Sequence, residues 1–218
     1  DRLVKSPAKQ RGRDFGIMLR CLIDQGYGLE WRIINAGETG HPQRRRRIFL
    51  FGFHKTTKYY QSLSKLNAES ILLENGIFAK KFPVCKVSKI KEINVKRNYK
   101  DLVDVSTKFK ADFENSGILY EGKIFTMKTS IANPSSIPLK DIVLSEGVDK
   151  HYFLTPEQKA KYKYLRGSKK IPRVKPNGVK YNYSEGAMSP YDDLNLPGRT
   201  MLTSEGTTNR STHIIKDP

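Results

Sequence analysis

Cysteine is scarce in this sequence: Cys21 and Cys85 are the only two, and they lie far apart. Two isolated thiols make neither a disulfide framework nor a zinc pattern, and they fit a reducing cytoplasm. Long apolar runs are missing too. No stretch reaches the roughly 20 residues that a membrane span needs, and no secretory leader is visible. Acidic residues are few, 22 Asp and Glu against 40 Lys and Arg. Asp192-Asp193 is the one adjacent acidic pair. A nuclease needs clustered carboxylates for its metal ions, and this pair reads as a solvated turn.

What is present is positive charge, a net +18 over 218 residues. Such an excess favours a polyanionic partner, because bound cations release counterions condensed on a phosphate backbone. The basic residues run through the whole chain, whereas a membrane-surface protein would gather them on one amphipathic helix. Nucleic acid is therefore the expected partner. Apolar residues at 37% and aromatics at 10% indicate a folded protein with long loops, one large domain or two small ones. The sequence opens on Asp1 without Met and stops at Asp217-Pro218, and both ends are expected to be cuts.

Local patterns give the elements. Ser6-Pro7 suits a helix start, Phe15, Met18, Leu19, Leu22 and Ile23 follow one helical face, and Gly26 suits its stop. Residues 31–36 read as a strand, 37–42 as a turn, and 47–53 as a second strand, so apolar that burial on both faces is expected. The two should pair as an antiparallel hairpin. Residues 56–61 read as a linker, 64–82 carry mixed helical signals, and 86–110 are rich in lysine. Two strands flank Glu121-Gly122. A capping-box helix runs from Thr155 to Gly167, and a short strand covers 200–203. Cys21 and Cys85 are expected as buried small hydrophobes. Tyr181, Tyr183 and Phe153 are expected in a small core.

Four arginines, Arg44 to Arg47, stand before the second strand. In an extended chain Arg45 and Arg47 share one side, and guanidiniums beside an apolar strand need anions or acceptors. The stretch Trp31-Arg32-Ile33-Ile34-Asn35-Ala36, then Gly40-His41-Pro42-Gln43, then Arg45, Arg47 and Ile48 to Gly52 resembles the eighth conserved motif of the cytosine-5 DNA methyltransferases. Asp1 to Pro7 is similar to the segment just after that family's Glu-Asn-Val motif. Asn115-Ser116-Gly117, Gly122-Lys123, Tyr164 to Gly167 and Tyr183 to Met188 are similar to the target-recognition region of some bacterial members. Residues 197–206 resemble the approach to the ninth motif.

The resemblance implies a methyl transfer from S-adenosylmethionine to carbon 5 of a cytosine turned out of the duplex, since the target atom is inaccessible inside the stack. It assigns the base contact to Arg47, support of the active-site loop and its acids to Arg45, ordering of the turn to Gln43, and a phosphate contact to Thr200. The loop from Ser204 to Arg210 is expected to reach the groove. Arg166, Lys169, Lys170, Arg173 and Arg210 are candidate guanine readers or phosphate clamps, with phosphate contact or plain solvation favoured over base readout for any one of them, and Asn209 is expected to read adenine or to satisfy a turn. The target is expected to be a short GC-rich site of the GGNCC type.

Departures from the family pattern matter as much. No Pro-Cys dipeptide, no Phe-x-Gly-x-Gly loop and no Glu-Asn-Val occur. The chain alone is therefore expected to be inactive, to bind no S-adenosylmethionine and no metal, and to need a missing N-terminal catalytic half, in the bacterial cytoplasm at the nucleoid. The expected fold is mixed α/β. Residues 1–55 hold a helix and an antiparallel hairpin from the edge of a Rossmann-like methyltransferase sheet, and 56–218 form an irregular, β-rich target-recognition domain. The alternative is a non-catalytic DNA-binding specificity subunit.

Overall fold

Phe15, Leu19 and Ile23 recur every fourth residue, so a helix lines them up on one side. In the computed structural model, which describes residues 2–216, they are the buried stripe of α2 (Arg13–Asp24). Expectations placed on Asp1, Asp217 and Pro218 fall outside the described residues. A short helix, α1 (Arg2–Lys5), precedes α2. The expected helix start at Ser6 is corrected: Gly12 caps α2, and the Ser6 hydroxyl donates to Asp14 Oδ2 at 2.6 Å. Gly26 ends the helical turn, its N–H donating to the Ile23 carbonyl at 3.0 Å.

The expected hairpin forms from β1 (Tyr27–Asn35) and β2 (Arg46–His54), paired antiparallel in one continuous register. Beyond it come α3 (Lys58–Ser62), where a linker was expected, and α4 (Ala68–Ser70), which runs into a π-helical turn at Ile71–Asn75. Then come α5 (Ile77–Lys81), β3 (Val84–Lys86), β4 (Lys91–Asn94), α6 (Val95–Asn98) and α7 (Leu102–Lys108). The turn at Glu121-Gly122 joins β5 (Ser116–Tyr120) to β6 (Lys123–Met127), and β7 (Thr129–Ile131) lies next along the chain.

These strands make a five-stranded sheet in the order β2-β1-β5-β6-β4, with β3 and β7 as a separate pair. Every pairing in the sheet is antiparallel. One face is covered by α2 and α7 through Phe15, Leu19, Val105 and Phe109. The other is covered by Leu63, Ile71 and Leu72. Trp31 is the pivot of the first face. Its ring meets Phe15 edge-on at 5.2 Å and Phe113 at 6.0 Å. Across the strands Trp31 faces Gly117, where a Cβ would lie 2.0 Å from the indole, so the ring lies flat on β5 only because that position has no side chain.

On the second face two charges are fully buried. Glu30 accepts from the N–H groups of Ile77 at 2.9 Å and Phe78 at 3.1 Å, and from the Tyr59 hydroxyl at 3.2 Å. Burial holds its carboxyl above the ordinary range, against the pull of the Phe78 and Ile77 N–H groups and of Arg32. Arg32 donates to the carbonyls of Leu72 at 2.7 Å and Phe82 at 3.2 Å. Burial lowers it to about 10, against the pull of Glu30. The two side chains thereby fix the connection from α4 to β3 onto the sheet.

The expectation that β2 is buried on both faces is corrected. It is the outermost strand, with Phe49 48% and Leu50 40% exposed. An edge strand has a neighbour on one side only, so its apolar side chains are covered incompletely.

The chain separates into two compact units. The first joins the segment up to Glu38 with Arg46–Pro134, and the second joins Thr39–Arg45 with the chain from Ser135 onward. In the second, α8 (Pro156–Arg166) begins with the expected capping box between Thr155 and Gln158. It leads into a two-stranded hairpin, β8 (Lys169–Val174) and β9 (Lys180–Glu185). The strand expected at 200–203 does not form: that segment is irregular and enters a turn. The architecture is mixed α/β with antiparallel sheets.

Candidate nucleic-acid interface

An extended chain with four consecutive arginines can present them on alternate sides, and the structure divides them further. Arg47 lies in β2 opposite Ile34. It is exposed, and its guanidinium donates to the Arg46 carbonyl at 2.8 Å. Arg46 faces Asn35 across the hairpin and lines a cavity of about 600 Å³ with Lys5, Glu38, Glu114 and Lys128. The arginine at that cavity is therefore Arg46, although the sequence pattern points to Arg45 and Arg47.

Arg45 belongs to the second unit. It donates to the Met201 carbonyl at 3.2 Å, not to acids as expected. Gln43 bridges in parallel to Gly198. The Gly198 N–H donates to the Pro42 carbonyl at 2.9 Å, and the Arg44 N–H donates to the Gly198 carbonyl at 2.7 Å. The turn carrying Gln43 is thus tied to the segment at 198–201. Thr200 donates its hydroxyl to the Arg44 carbonyl at 2.8 Å. That proton is engaged within the protein, so in this conformation the hydroxyl has none to offer a phosphate.

Arg166 is 3% exposed and serves as an internal anchor, not a base reader. It donates to the carbonyls of Ser189 and Pro190, each at 2.9 Å, to Thr212 at 2.6 Å and to Asp192 Oδ2 at 3.1 Å. Asp192, expected in a solvated turn, also accepts from Arg199 Nε at 2.5 Å and from the Ile214 N–H at 2.9 Å. Burial pushes its carboxyl up, but Arg199, the Ile214 N–H and Arg166 together bring it well below the usual carboxylate range. A carboxylate between two guanidiniums substitutes here for an apolar core.

Glu185 is a second anchor. It accepts from Lys169 at 3.0 Å, Tyr183 at 2.8 Å and Arg210 at 2.8 Å. These donors, Lys169 first, hold its carboxyl at about 2. Lys169 also reaches the Leu165 carbonyl, and Arg210 reaches Met188 and the Gly186 carbonyl. Asn209 satisfies its own turn, donating to the Ser204 carbonyl and accepting from the Ser211 N–H at 2.7 Å. Ser204 supplies that carbonyl. Of the basic residues proposed as guanine readers or phosphate clamps, Lys170 and Arg173 stand exposed, both on β8.

The tyrosines expected in a small core are not there. Tyr181 is 39% exposed, and the ring of Tyr183 lies 4.0 Å from the Arg173 guanidinium carbon. Lys175 lies over Tyr181 at 5.9 Å. Phe153 is also exposed, as are Cys21 and Cys85, against the expectation of burial. Sequence reasoning missed this hairpin as a unit. Its signal was present: Asn177-Gly178 is a turn dipeptide, and 169–175 and 180–185 are basic and aromatic. Among the described residues no cluster of three or more His, Cys, Asp or Glu could hold a metal ion, and no helix is long and apolar enough to cross a membrane.

Residues 3–209 match the family model for C-5 cytosine-specific DNA methylases. The chain is 45% identical over 215 residues to the type II methyltransferase M.Sau3AI of Staphylococcus aureus, a match covering 99% of this chain and 52% of that protein. M.NlaIV of Neisseria lactamica is 38% identical over 52 residues, 24% of this chain and 12% of that protein. M.NgoBI of Neisseria gonorrhoeae is 33% identical over 66 residues, 29% of this chain and 21% of that protein. The chain thus spans about half the length of M.Sau3AI and smaller shares of the other two. No solved structure matches it. A family model that covers nearly the whole chain, over a fold that places Gln43 to Arg47 in the turn and first residues of a hairpin strand, makes this chain a member of the C-5 cytosine-specific DNA methylase family.

Proposed function

We propose that this chain is the DNA-recognising part of a type II cytosine-5 DNA methyltransferase, working in the bacterial cytoplasm at the nucleoid. Residues 1–55 are assigned to the catalytic domain and 56–218 to the target-recognition domain, with β1 and β2 of the former continued in the same sheet by β5, β6 and β4 of the latter. The observation that carries this reading is the family match over residues 3–209 of a chain with a net charge of +18. Arg47 contacts the extruded cytosine, and its exposed guanidinium is free of buried carboxylates. A guanidinium suits that task as a fixed fork of donors with a permanent charge.

S-adenosylmethionine supplies the methyl group in this family. The residues present here do not fit it. Among the described residues no parallel strand–helix unit opens on a glycine-rich turn, and the five-stranded sheet is antiparallel throughout. The N-terminal half of the enzyme would supply both that site and the nucleophile, docking on the open edge of β2 where Phe49 and Leu50 are exposed. Covering such an edge satisfies its unpaired backbone groups and removes apolar area from water.

The test is methyl transfer from labelled S-adenosylmethionine to duplexes of varied sequence, GGNCC-type palindromes among them. The chain alone should transfer nothing, and the chain joined to its N-terminal half should label cytosine. Label in adenine, or none with both halves present, would end the reading.

A further inference from the structure

We propose that the β8–β9 hairpin is a ribbon that enters the major groove, and that Asn182 on its outer face determines specificity. The inference rests on the function proposed above and adds to it the element and the residue that read the duplex.

An antiparallel ribbon has two faces, set by its register. Lys170 pairs with Ser184, Pro172 with Asn182 and Val174 with Lys180. Those six side chains share one face, and all six are exposed. The other face carries Lys169, Ile171 and Arg173 with Glu185, Tyr183 and Tyr181. That second face is internally occupied: Arg173 lies over Tyr183, Lys175 over Tyr181, and Lys169 is held by Glu185. The two faces therefore differ in what they leave available. The occupied one is stiffened by its own contacts, and the open one offers an amide, a hydroxyl and two ammonium groups.

Two strands standing alone are marginally stable in water. This pair is anchored at its base. The Glu185 carboxylate takes Lys169, Tyr183 and Arg210, and the Met188 N–H donates to the Arg166 carbonyl at 2.8 Å. From that base the ribbon runs about 20 Å, for six residues per strand at roughly 3.3 Å each. A two-stranded ribbon fits a major groove about 12 Å wide.

Charge names the occupant. Residues 169–185 hold five Lys and Arg and one acid, Glu185, which sits at the anchored end. Lys159, Lys161 and Lys163 of α8 are exposed as well. A ribbon so charged has a polyanion as its complement, and its open face carries Asn182, whose amide offers a donor and an acceptor together, as base-edge readout requires. Lys170 and Lys180 lie on the same face as flexible point charges, suited to phosphates beside the groove.

The experiment uses the complete enzyme, expressed in a host free of cytosine methylation, with bisulfite sequencing of the host DNA. Asn182→Ala should relax the choice of base at one pair of the site, lowering the preference for it by about 10- to 100-fold, with unchanged thermal unfolding. Lys170→Gln with Lys180→Gln should weaken binding to all duplexes alike and flatten its salt dependence by about one unit of slope per lysine. An unchanged site preference in Asn182→Ala would overturn the assignment while leaving the proposed function standing. No cytosine methylation by the unaltered enzyme would remove both.

Discussion

The guanidinium of Arg166 and the carboxylate of Asp192 meet at 3.1 Å, with side chains only 3% and 6% exposed. Around this pair the C-terminal segment is gathered through the carbonyls of Ser189, Pro190 and Thr212. Breaking one partner of a buried pair leaves the other uncompensated, at a cost of about 3–5 kcal/mol. Arg166→Ala is expected to destabilise the second unit by that amount in urea unfolding. Arg166→Lys should restore little, because an ammonium cannot reach four acceptors in a fork geometry.

Gly117 opposite Trp31 gives a sharper steric test. A methyl group there would lie within 2.0 Å of the indole. Gly117→Ala is expected to cost about 1–3 kcal/mol through displacement of the ring. The change should appear as a lower unfolding temperature and altered tryptophan fluorescence, since Trp31 is the one tryptophan of the chain.

Gly76 is constrained by charge as well as space. A Cβ there would lie 2.6 Å and 2.8 Å from the two Glu30 oxygens. Gly76→Ala should push the carboxylate off the Ile77 and Phe78 N–H groups, leaving buried donors unpaired at about 1–3 kcal/mol each. Hydrogen exchange should then accelerate at those two amides before the sheet amides respond.

Glu185 sets an acid limit. Its folded carboxyl lies at about 2 against an ordinary 4.5, because Lys169, Tyr183 and Arg210 favour the charged form. A depressed carboxyl contributes stability that is present above its unfolded value and lost as pH falls through the folded one. The chain should therefore weaken progressively from about pH 4.5 towards 2. Glu185→Gln should flatten this limb without abolishing it, because Asp192 is lowered too. Unfolding midpoints measured across that range check the sign.

Arg47→Ala tests the proposed base contact. The side chain is exposed and its one described partner is the neighbouring carbonyl, so folding should be unaffected. Loss of a donor that stabilises the reacting base lowers turnover by about 10²–10³-fold. In the complete enzyme, kcat should fall by that order while duplex affinity holds. An unchanged kcat would remove Arg47 from the site.

Local signals were legible where the residues that make an element are close in sequence. The Phe15, Leu19, Ile23 stripe announced α2, the Thr155–Gln158 spacing announced α8, and Glu121-Gly122 announced the β5–β6 turn. The Asn-Ala, Pro-Gln and arginine run at 35–47 announced the family. Failures came where the environment of a side chain depends on distant chain. Phe49 and Leu50 look like core in sequence, but the strand they belong to lies at an edge. Cys21 looks buried because its helix is, yet it falls on the outer face of α2.

The amino-acid order alone determined the periodicities, the turn dipeptides and the excess of positive charge, because each is a property of neighbours along the chain or of a simple sum. Only the folded arrangement decided which charges are free. Arg166 and Arg173 lie close in the chain and are chemically identical. The first is enclosed by carbonyls from residues 23, 24 and 46 positions away, and the second stands exposed over a tyrosine ring. What a guanidinium can bind is fixed by the acceptors that reach it first, and those are brought to it by tertiary contacts between residues far apart in sequence.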